Sequence, residues 1–237
     1  MRVFRNDDIW LGYRNTIFYT TAGTLISVAL TVLGAYPLSR PDFPGKKFYS
    51  LLFLFTMFFS GGLIPSFLII QRLGLVNTIW IMLLTGPGSL GVWNLIIART
   101  FFKSTIPYEL QEQAFIDGAS DFFILFKIIL PLSAPILAVM SLFYGVGHWN
   151  SFFNALIYLR TRSLMPLQIF LRELLLMLQI VTTSADAADQ ETIFQMILLA
   201  ETVRFPLIIV ASLPVLAVYP FLQRFFIKGI MVGALKG

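Results

Sequence analysis

The sequence contains no cysteine and a single histidine, His148, in 237 residues. Without cysteine the chain can form neither a disulfide, nor a thiolate nucleophile, nor a cysteine-ligated metal site. A lone histidine with no carboxylate nearby in the sequence makes a poor metal site and a poor catalytic base. We therefore expect no metal site and no catalytic residue in this chain.

Charged residues are also scarce. They make up 12% of the chain, whereas soluble domains carry roughly 25%. Apolar residues make up 57%, and the mean hydropathy is +0.82. This composition predicts an all-α integral membrane protein. The net charge of +5 could suggest nucleic acid, but the positive-inside rule for cytoplasmic loops explains it better, and we expect no nucleic-acid partner.

Two further kinds of motif are missing. Residues 1–13 lack the apolar core and small-residue cleavage site of a signal peptide, and we expect them to form an external segment. No Walker A sequence occurs, so the chain cannot itself hold the phosphates of ATP in a P-loop. Residues 86–91 fit a glycine-rich dinucleotide pattern, but they follow no predicted strand. A broken or closely packed helix explains them better.

Five stretches are apolar over the roughly 20 residues that a membrane-spanning helix needs. They cover about residues 14–38, 48–70, 79–101, 122–147 and 204–226. We therefore predict a bundle of about five transmembrane helices. Residues 148–203 form a long external insertion in this scheme, with a re-entrant or interfacial helix from about residue 166 to residue 180; a merely solvated loop is the alternative.

Basic residues orient the chain. They flank the first-to-second connection, the third-to-fourth connection and the C-terminal tail, which places all three on the cytoplasmic side. These residues are Arg40, Lys46, Lys47, Arg99, Lys103, Lys127, Arg224, Lys228 and Lys236. The N-terminus is then external, although the positive-inside rule would place its Arg2, Arg5 and Arg14 on the cytoplasmic side.

Glycine and proline interrupt three of the predicted spans, at residues 60–65, 86–88 and 131–135. Proline removes a helical hydrogen bond and bends the helix. Freed backbone at membrane depth is tolerated only against protein or a water-filled cavity. The breaks therefore indicate either a translocation path with a gating hinge or simple packing kinks.

The predicted spans contain almost no ionisable residue, and Asn94 is among the few polar ones in the third span. Transporters driven by an ion gradient usually place Asp, Glu or His inside their spans. The scarcity argues against such a transporter and for a chain that is driven from outside the membrane.

Residues 106–121 form the longest charged passage between two apolar regions. Pro107 suits the first turn of a helix, where its missing N–H has no cost. Gly118 should end that helix, because glycine adopts the left-handed C-terminal conformation most easily. The prediction is a short helix, a tight turn and a second helix at the base of a membrane bundle, a shape that suits docking into a partner's groove.

The same passage resembles a known loop. The segments E-Q-A at residues 112–114, D-G-A at 117–119 and L-P at 130–131 resemble the "EAA – three residues – G" loop of ABC-importer permeases. In that family the loop is a cytoplasmic coupling helix, which lies in a cleft of the ATP-binding subunit. The resemblance implies these coupling residues: Glu109, Glu112, Gln113, Ala114, Asp117, Gly118 and Ala119. Gln113 stands where the family usually has Ala, and an ordinary interfacial helix is the alternative.

Amides and aromatic rings cluster near the external end of the fourth span. Amides suit sugar hydroxyls, and rings suit the apolar faces of pyranoses. Sugar-importer permeases often carry a Trp-Asn-x-Phe/Tyr stretch here, although an interfacial aromatic belt would look similar. The candidate substrate path comprises Asn94, Tyr144, His148, Trp149, Asn150, Phe153 and Asn154.

From residue 14 to residue 237 the chain resembles the permeases of carbohydrate ABC importers, in particular the oligosaccharide or polysaccharide group. The resemblance rests on the coupling loop, the G-H-W-N-S sequence at residues 147–151 and the Lys-Gly ending. It implies a multi-pass protein of the bacterial cytoplasmic (inner) membrane, with no enzymatic activity and no cofactor of its own. The implied partners are two cytoplasmic ATP-binding subunits that bind ATP and Mg, a second homologous permease that forms a heterodimer, an extracytoplasmic solute-binding protein and a carbohydrate substrate.

The resemblance also implies how movement reaches the translocation cavity, which this chain would form together with the second permease. Family members usually have six core spans and an internal N-terminus, so we expect a first helix to be missing here. Closure of the ATP-binding subunits should push the coupling helix, and a rigid fourth span should carry the movement outward. A secondary transporter or a channel subunit remains the alternative. A channel would need no coupling helix, and Gly118→Asp would then be harmless instead of abolishing transport by steric clash.

Overall fold

The computed structural model describes residues 7–86, 89–183, 209, 211–217 and 220. All regular structure in these residues is helical, as predicted. The helices are α1 (Asp7–Ser39), α2 (Lys46–Phe58), α3 (Leu63–Arg72), α4 (Ile79–Leu84), α5 (Val92–Thr105), α6 (Tyr108–Ile116), α7 (Asp121–Ile124), α8 (Leu130–Leu132), α9 (Ala134–Trp149), α10 (Phe153–Tyr158) and α11 (Leu167–Thr183). A π-helical turn, Leu125–Ile129, joins α7 to α8, and a 3-10 turn, Arg162–Leu164, precedes α11.

Helix α1 is the element against which most others pack. It has 33 residues, which corresponds to a length of about 50 Å. It begins at Asp7, inside the segment that we predicted to precede the first span. It packs against α9, α5, α11 and α4. The largest apolar cluster lies along its C-terminal half and includes residues of α5, α6, the π turn and α9.

The second, third and fourth predicted spans are broken. Within the described residues, α1 alone is by itself long and apolar enough to cross a membrane, and up to three spans result if each of two bent helix pairs counts as one. Helices α2 and α3 meet at 114°, next to Gly62 with its positive φ of 87°. Residues 85–91 separate α4 from α5. The predicted fifth span, residues 204–226, lies almost entirely outside the described residues.

The fourth predicted span, which we expected to carry movement as a rigid element, is bent. The π turn widens the helix by one residue, and α8 ends at Leu132. The hydroxyl of Ser133 donates to the carbonyl of Ile129 at 2.6 Å, and Pro135 follows in the first turn of α9. At this break the α7–α8 segment meets α9 at 82°. The fourth predicted span is therefore bent and not straight.

A polar stripe on α1 holds the chain ahead of α11. Asn15 donates from Nδ2 to two carbonyls of residues 163–167, at 2.8 and 3.0 Å. The hydroxyl of Tyr19 donates to a third carbonyl at 2.8 Å. Thr16 Oγ1 accepts the N–H of Leu167, the first residue of α11, at 2.8 Å. Since these positions share one helical face, α1 provides the partners that this irregular backbone needs.

The connection between the second and third predicted spans, which the predicted orientation places outside, meets the external insertion at one end of the structure. Asn77, which has a φ of 61°, donates from its backbone N–H to the carbonyl of Tyr158 at 2.8 Å. Its Oδ1 accepts the N–H groups of Arg160 and Thr161, both at 2.9 Å. The helix predicted at residues 166–180 is observed as α11. Residues 184–203 of the predicted insertion lie outside the described residues.

We predict that Gly12 sets the close approach of α1 to α11. A Cβ at this position would lie 2.9 Å from the Cα of Leu167 and 2.8 Å from the ring of Phe170. Gly12→Ala should therefore destabilise the protein by about 1–3 kcal/mol through overpacking, although Ala is the better helix former. Thermal unfolding in detergent, followed by circular dichroism, measures the effect.

The matched control is Gly145→Ala, the same change in α9. A Cβ there would lie 3.7 Å from Thr24 Oγ1, an ordinary van der Waals distance. We expect this variant to be as stable as the wild type or slightly more stable. Equal losses in the two variants would contradict the assignment.

Candidate coupling site and translocation path

Residues 106–121 form α6, a tight turn and the start of α7. Gly118 adopts a φ of 78°. The N–H groups of Gly118 and Ala119 donate to carbonyls in the last turn of α6, both at 2.9 Å. This pair of bonds is a Schellman motif. The Ser120 hydroxyl then accepts a backbone N–H of α7 at 3.3 Å, so each helix end at the turn has a hydrogen-bonded cap.

Helix α6 has a buried side and an exposed side. Gln111 is only 4% exposed, and Ala114 is buried beside it. Ala119 is half-buried. The remaining predicted coupling residues are exposed: Glu109, Glu112, Gln113, Asp117 and Gly118.

The exposed side of α6 is also apolar. The side chain of Ile116 is 85% exposed, and Leu110 and Phe115 are exposed as well. These three side chains lie among the carboxylates of the same short helix. We call Leu110, Phe115, Ile116 and the exposed coupling residues the α6 surface. An apolar patch rimmed by charged groups is the usual form of a protein-interaction site.

Arg40 follows α1 directly and is 9% exposed. Its Nε and Nη2 donate to the two carboxylate oxygens of Asp42, at 2.9 and 2.6 Å. Its Nη1 donates to Asp121, the first residue of α7. The guanidinium also lies 4.6 Å from the centroid of the Phe115 ring on α6. Arg40 therefore contacts residues on both sides of the Gly118 turn.

The hydrogen bond from Arg40 holds the pKa of the Asp42 carboxyl below its ordinary value, against a smaller opposing effect of burial. The carboxylate is therefore ionised at neutral pH. Because the pKa is lowered in the folded state, the stability that this pair contributes is present above the unfolded pKa and is lost as the pH falls through the folded pKa.

Two more cations bind the C-terminal end of α1. Lys46 Nζ donates to the carbonyl of Arg40 at 2.7 Å, and Arg99 Nε donates to the carbonyl of Leu38 at 3.0 Å. Cations at this position complement the partial negative charge of a helix C-terminus. The first-to-second and third-to-fourth connections, both predicted to be cytoplasmic, therefore meet at the end of the structure that carries α6.

Three residues of the predicted substrate path border the break between α4 and α5. The hydroxyl of Tyr144 accepts the N–H of Gly91 at 3.1 Å and lies 2.7 Å from the hydroxyl of Thr31 on α1. The amide of Asn94 lies against Gly91, and the amide of Asn154 lies against the other end of the break. Tyr144 thus links three elements of this chain.

The other four predicted path residues lie elsewhere. His148 is buried and fills the space above Gly23 of α1, where any Cβ would overlap the imidazole ring. Trp149 is buried, and its Nε1 donates to the carbonyl of Ala211 at 2.8 Å. Asn150 and Phe153 are exposed. Contact of these residues with substrate stays a prediction.

Arg40 and the polar stripe of α1 were not predicted as functional or structural sites. From the sequence, Arg40 could only be assigned to a cytoplasmic connection, because its partners on α6 and α7 are distant along the chain. Asp42, two residues further on, is the one local sign of an ion pair. In the described part of the chain, no three His, Asp or Glu residues lie together as a metal site.

Comparison with individual proteins places the chain in a family, although no protein-family model matches it. It is 40% identical over 235 residues to the polygalacturonan/rhamnogalacturonan transport system permease protein YtcP of Bacillus subtilis (strain 168), a match that covers 99% of this chain and 80% of that protein. The chain belongs to the carbohydrate ABC-transporter permeases.

Further comparisons agree with this assignment. The permease is 32% identical over 230 residues to the arabinooligosaccharides transport system permease protein AraQ of Halalkalibacterium halodurans, covering 96% of this chain and 75% of that protein. Its structure is similar, with a TM-score of 0.80 and 34% identity, to a crystal structure of a bacterial ABC transporter involved in the import of the acidic polysaccharide alginate. That match covers 95% of this chain and 78% of the other. The predicted resemblance is confirmed, and the secondary-transporter and channel alternatives are set aside.

We predict that Gly118 contributes to folding only through its backbone conformation. A Cβ there would meet no atom of this chain within 4 Å, so a steric clash, which we expected for Gly118→Asp, must come from a partner. Gly118→Ala should destabilise the isolated permease by about 1–2 kcal/mol, the cost of a left-handed L-residue.

Gly74→Ala is the matched control, because Gly74 has a φ of 69° and equally open surroundings. Thermal unfolding in detergent should give similar losses; a much larger loss for Gly118→Ala would mean that it packs inside this chain.

Proposed function

We propose that this permease is one half of the membrane part of an ATP-driven importer for oligosaccharides or polysaccharides, and that α6 is its coupling helix. The observation that carries the proposal is the α6 surface. Its apolar and acidic side chains are exposed, and it ends in a turn around Gly118 that leaves open space for a partner. The names of the relatives support a carbohydrate as the cargo.

The partners follow from the two ends of the molecule. At the α6 end, two ATP-binding subunits would each bind ATP and Mg, one of them on this permease and the other on a second, homologous permease in a heterodimer. At the opposite end, where the connection at Asn77 meets residues 158–161, a solute-binding protein would deliver the cargo. The proposed site is the bacterial cytoplasmic membrane, which the chain would cross about five times.

The cargo would pass unchanged along the broken helices. Asn94 and Asn154 border the break between α4 and α5, so their amides are the best placed of the predicted residues to meet sugar hydroxyls near this break. Asn150 and Phe153 are exposed beyond it. Movement of α6 on ATP binding would convert the translocation cavity between the two permeases from inward-facing to outward-facing.

Purification of the tagged permease from its native membrane in mild detergent tests this proposal. Mass spectrometry should identify two copies of an ATP-binding subunit and one related permease. Recovery of the permease alone, or only as a homo-oligomer, would overturn the proposal, provided that a known ABC importer survives the same detergent intact.

We predict that Ile116 is a main contact with the ATP-binding subunit. Ile116→Ala removes the most exposed apolar side chain of the α6 surface, and it should weaken binding of that subunit about tenfold or more, the effect of losing a contact worth about 1.4 kcal/mol. The measurement is a titration of detergent-solubilised permease with the purified subunit. Ile64→Ala in α3 is the matched control, since Ile64 is 73% exposed and lies in a predicted span. Equal weakening by both changes would exclude a specific role for Ile116.

A further inference from the structure

We propose that Arg40 is the positioning residue that joins the coupling helix to α1, so that α1, and not the fourth span, carries the coupling movement across the membrane. This inference rests on the proposed coupling role of α6. It assigns to a residue outside the coupling loop a part in ATP-driven transport.

The contacts of Arg40 enclose the coupling turn. Phe115 precedes Gly118 and lies under the guanidinium, whereas Asp121 follows Gly118 and pairs with Nη1. A displacement of α6 therefore pulls on Arg40 through a residue on each side of the turn. Arg40 is joined to α1 in turn by the backbone and by a bond of 3.3 Å from Nη1 to the Tyr36 hydroxyl.

An arginine is required for this set of contacts. The Nε and Nη2 groups form a fork that matches the carboxylate of Asp42, Nη1 is left for Asp121 and Tyr36, and the flat face of the guanidinium lies over Phe115. The ammonium group of a lysine is a point charge with three donors and no flat face, so it cannot make all four contacts.

A groove of about 430 Å³ lies beside the ion pair, and residues of both α1 and the start of α7 line it, including Arg40 and Asp121. The Arg40–Asp121 pair bridges this groove. Deeper in the structure, Tyr36 of α1 shares a buried apolar cluster with Ile124 and Leu125. The ion pair therefore adds a polar link to the packing between these elements.

Helix α1 is better suited than the fourth span to carry the movement onward. It is continuous over 33 residues, whereas α7, the π turn and α8 meet α9 at 82°. At its far end, α1 holds residues 163–167 through its polar stripe, and Asp8 pairs with Arg162 at 2.8 Å. A push at Arg40 would therefore reach the end of the molecule that is proposed to face the binding protein.

The two carboxylates on Arg40 provide a test with an internal control. Asp121→Asn removes the ion pair to α7, and Asp42→Asn removes an ion pair of the same guanidinium that stays within the α1–α2 connection. Both aspartates are about half exposed or more at the side chain, so both variants should fold. Asp121→Glu, which keeps the charge, should restore the behaviour of the wild type.

The measurement uses the complete complex with its ATP-binding subunits. Since the chain has no cysteine, Arg14→Cys places a single thiol on the exposed side of α1, near the N-terminal end of this helix and away from Arg40. The rate of maleimide labelling of this chain is measured without nucleotide and with ATP trapped by vanadate. The Arg14→Cys permease is the parent, and Asp42→Asn and Asp121→Asn are each added to it. We expect the labelling rate to change on ATP binding in the parent and in the variant that also carries Asp42→Asn. In Asp121→Asn that change should fall at least about fivefold, the lower end of ordinary allosteric coupling, with assembly and basal ATP hydrolysis unaltered.

Three results would overturn the inference: no ATP-dependent change in the parent, an undiminished change in Asp121→Asn, or equal losses in Asp121→Asn and Asp42→Asn. Failure of the proposed function would look different, because the ATP-binding subunits would then not purify with the permease at all.

Discussion

In a lipid environment every backbone N–H and C=O group needs a partner from the protein, because no water is present to supply one. Some irregular parts of this permease find partners on the side chains of α1, in addition to hydrogen bonds within the backbone of the turns. Asn15, Thr16 and Tyr19 bind the backbone ahead of α11. Thr31 lies against the tyrosine that accepts the N–H of Gly91. One continuous helix thus permits its neighbours to be broken.

Every helix end leaves backbone groups without an intrahelical partner, and polar contacts occupy both ends of α1. Its C-terminal carbonyls receive Lys46 and Arg99 from two other elements, so the helix end is tied to α2 and α5. Arg40 adds a link to α6 and α7. The end of the bundle that presents the α6 surface is therefore built from four segments that meet on one helix terminus, and a partner that binds α6 acts on all of them.

Local signals in the sequence predicted local structure well. Pro107 and Gly118 delimited α6, and the glycine and proline positions marked where α2–α3, α4–α5 and α8–α9 break. The π turn at residues 125–129 contains neither glycine nor proline, so nothing in the sequence indicated it, and the expectation of a rigid fourth span came from the family resemblance alone. The contacts of Arg40 could not be predicted, because Asp121 is 81 residues away and only the tertiary fold brings it near. Burial of Tyr144, His148 and Trp149 likewise depends on which face of α9 meets α1, and the uniformly apolar fourth span did not indicate that face.

The fit of His148 above Gly23 has a mechanical consequence. A ring that fills the space left by a missing side chain prevents α9 from sliding along α1, because a step of one helical turn, about 5.4 Å, would bring it against Tyr19 or Ser27, which have a Cβ. The pairing of His148 with Gly23 therefore fixes the height of α9 in the membrane relative to α1.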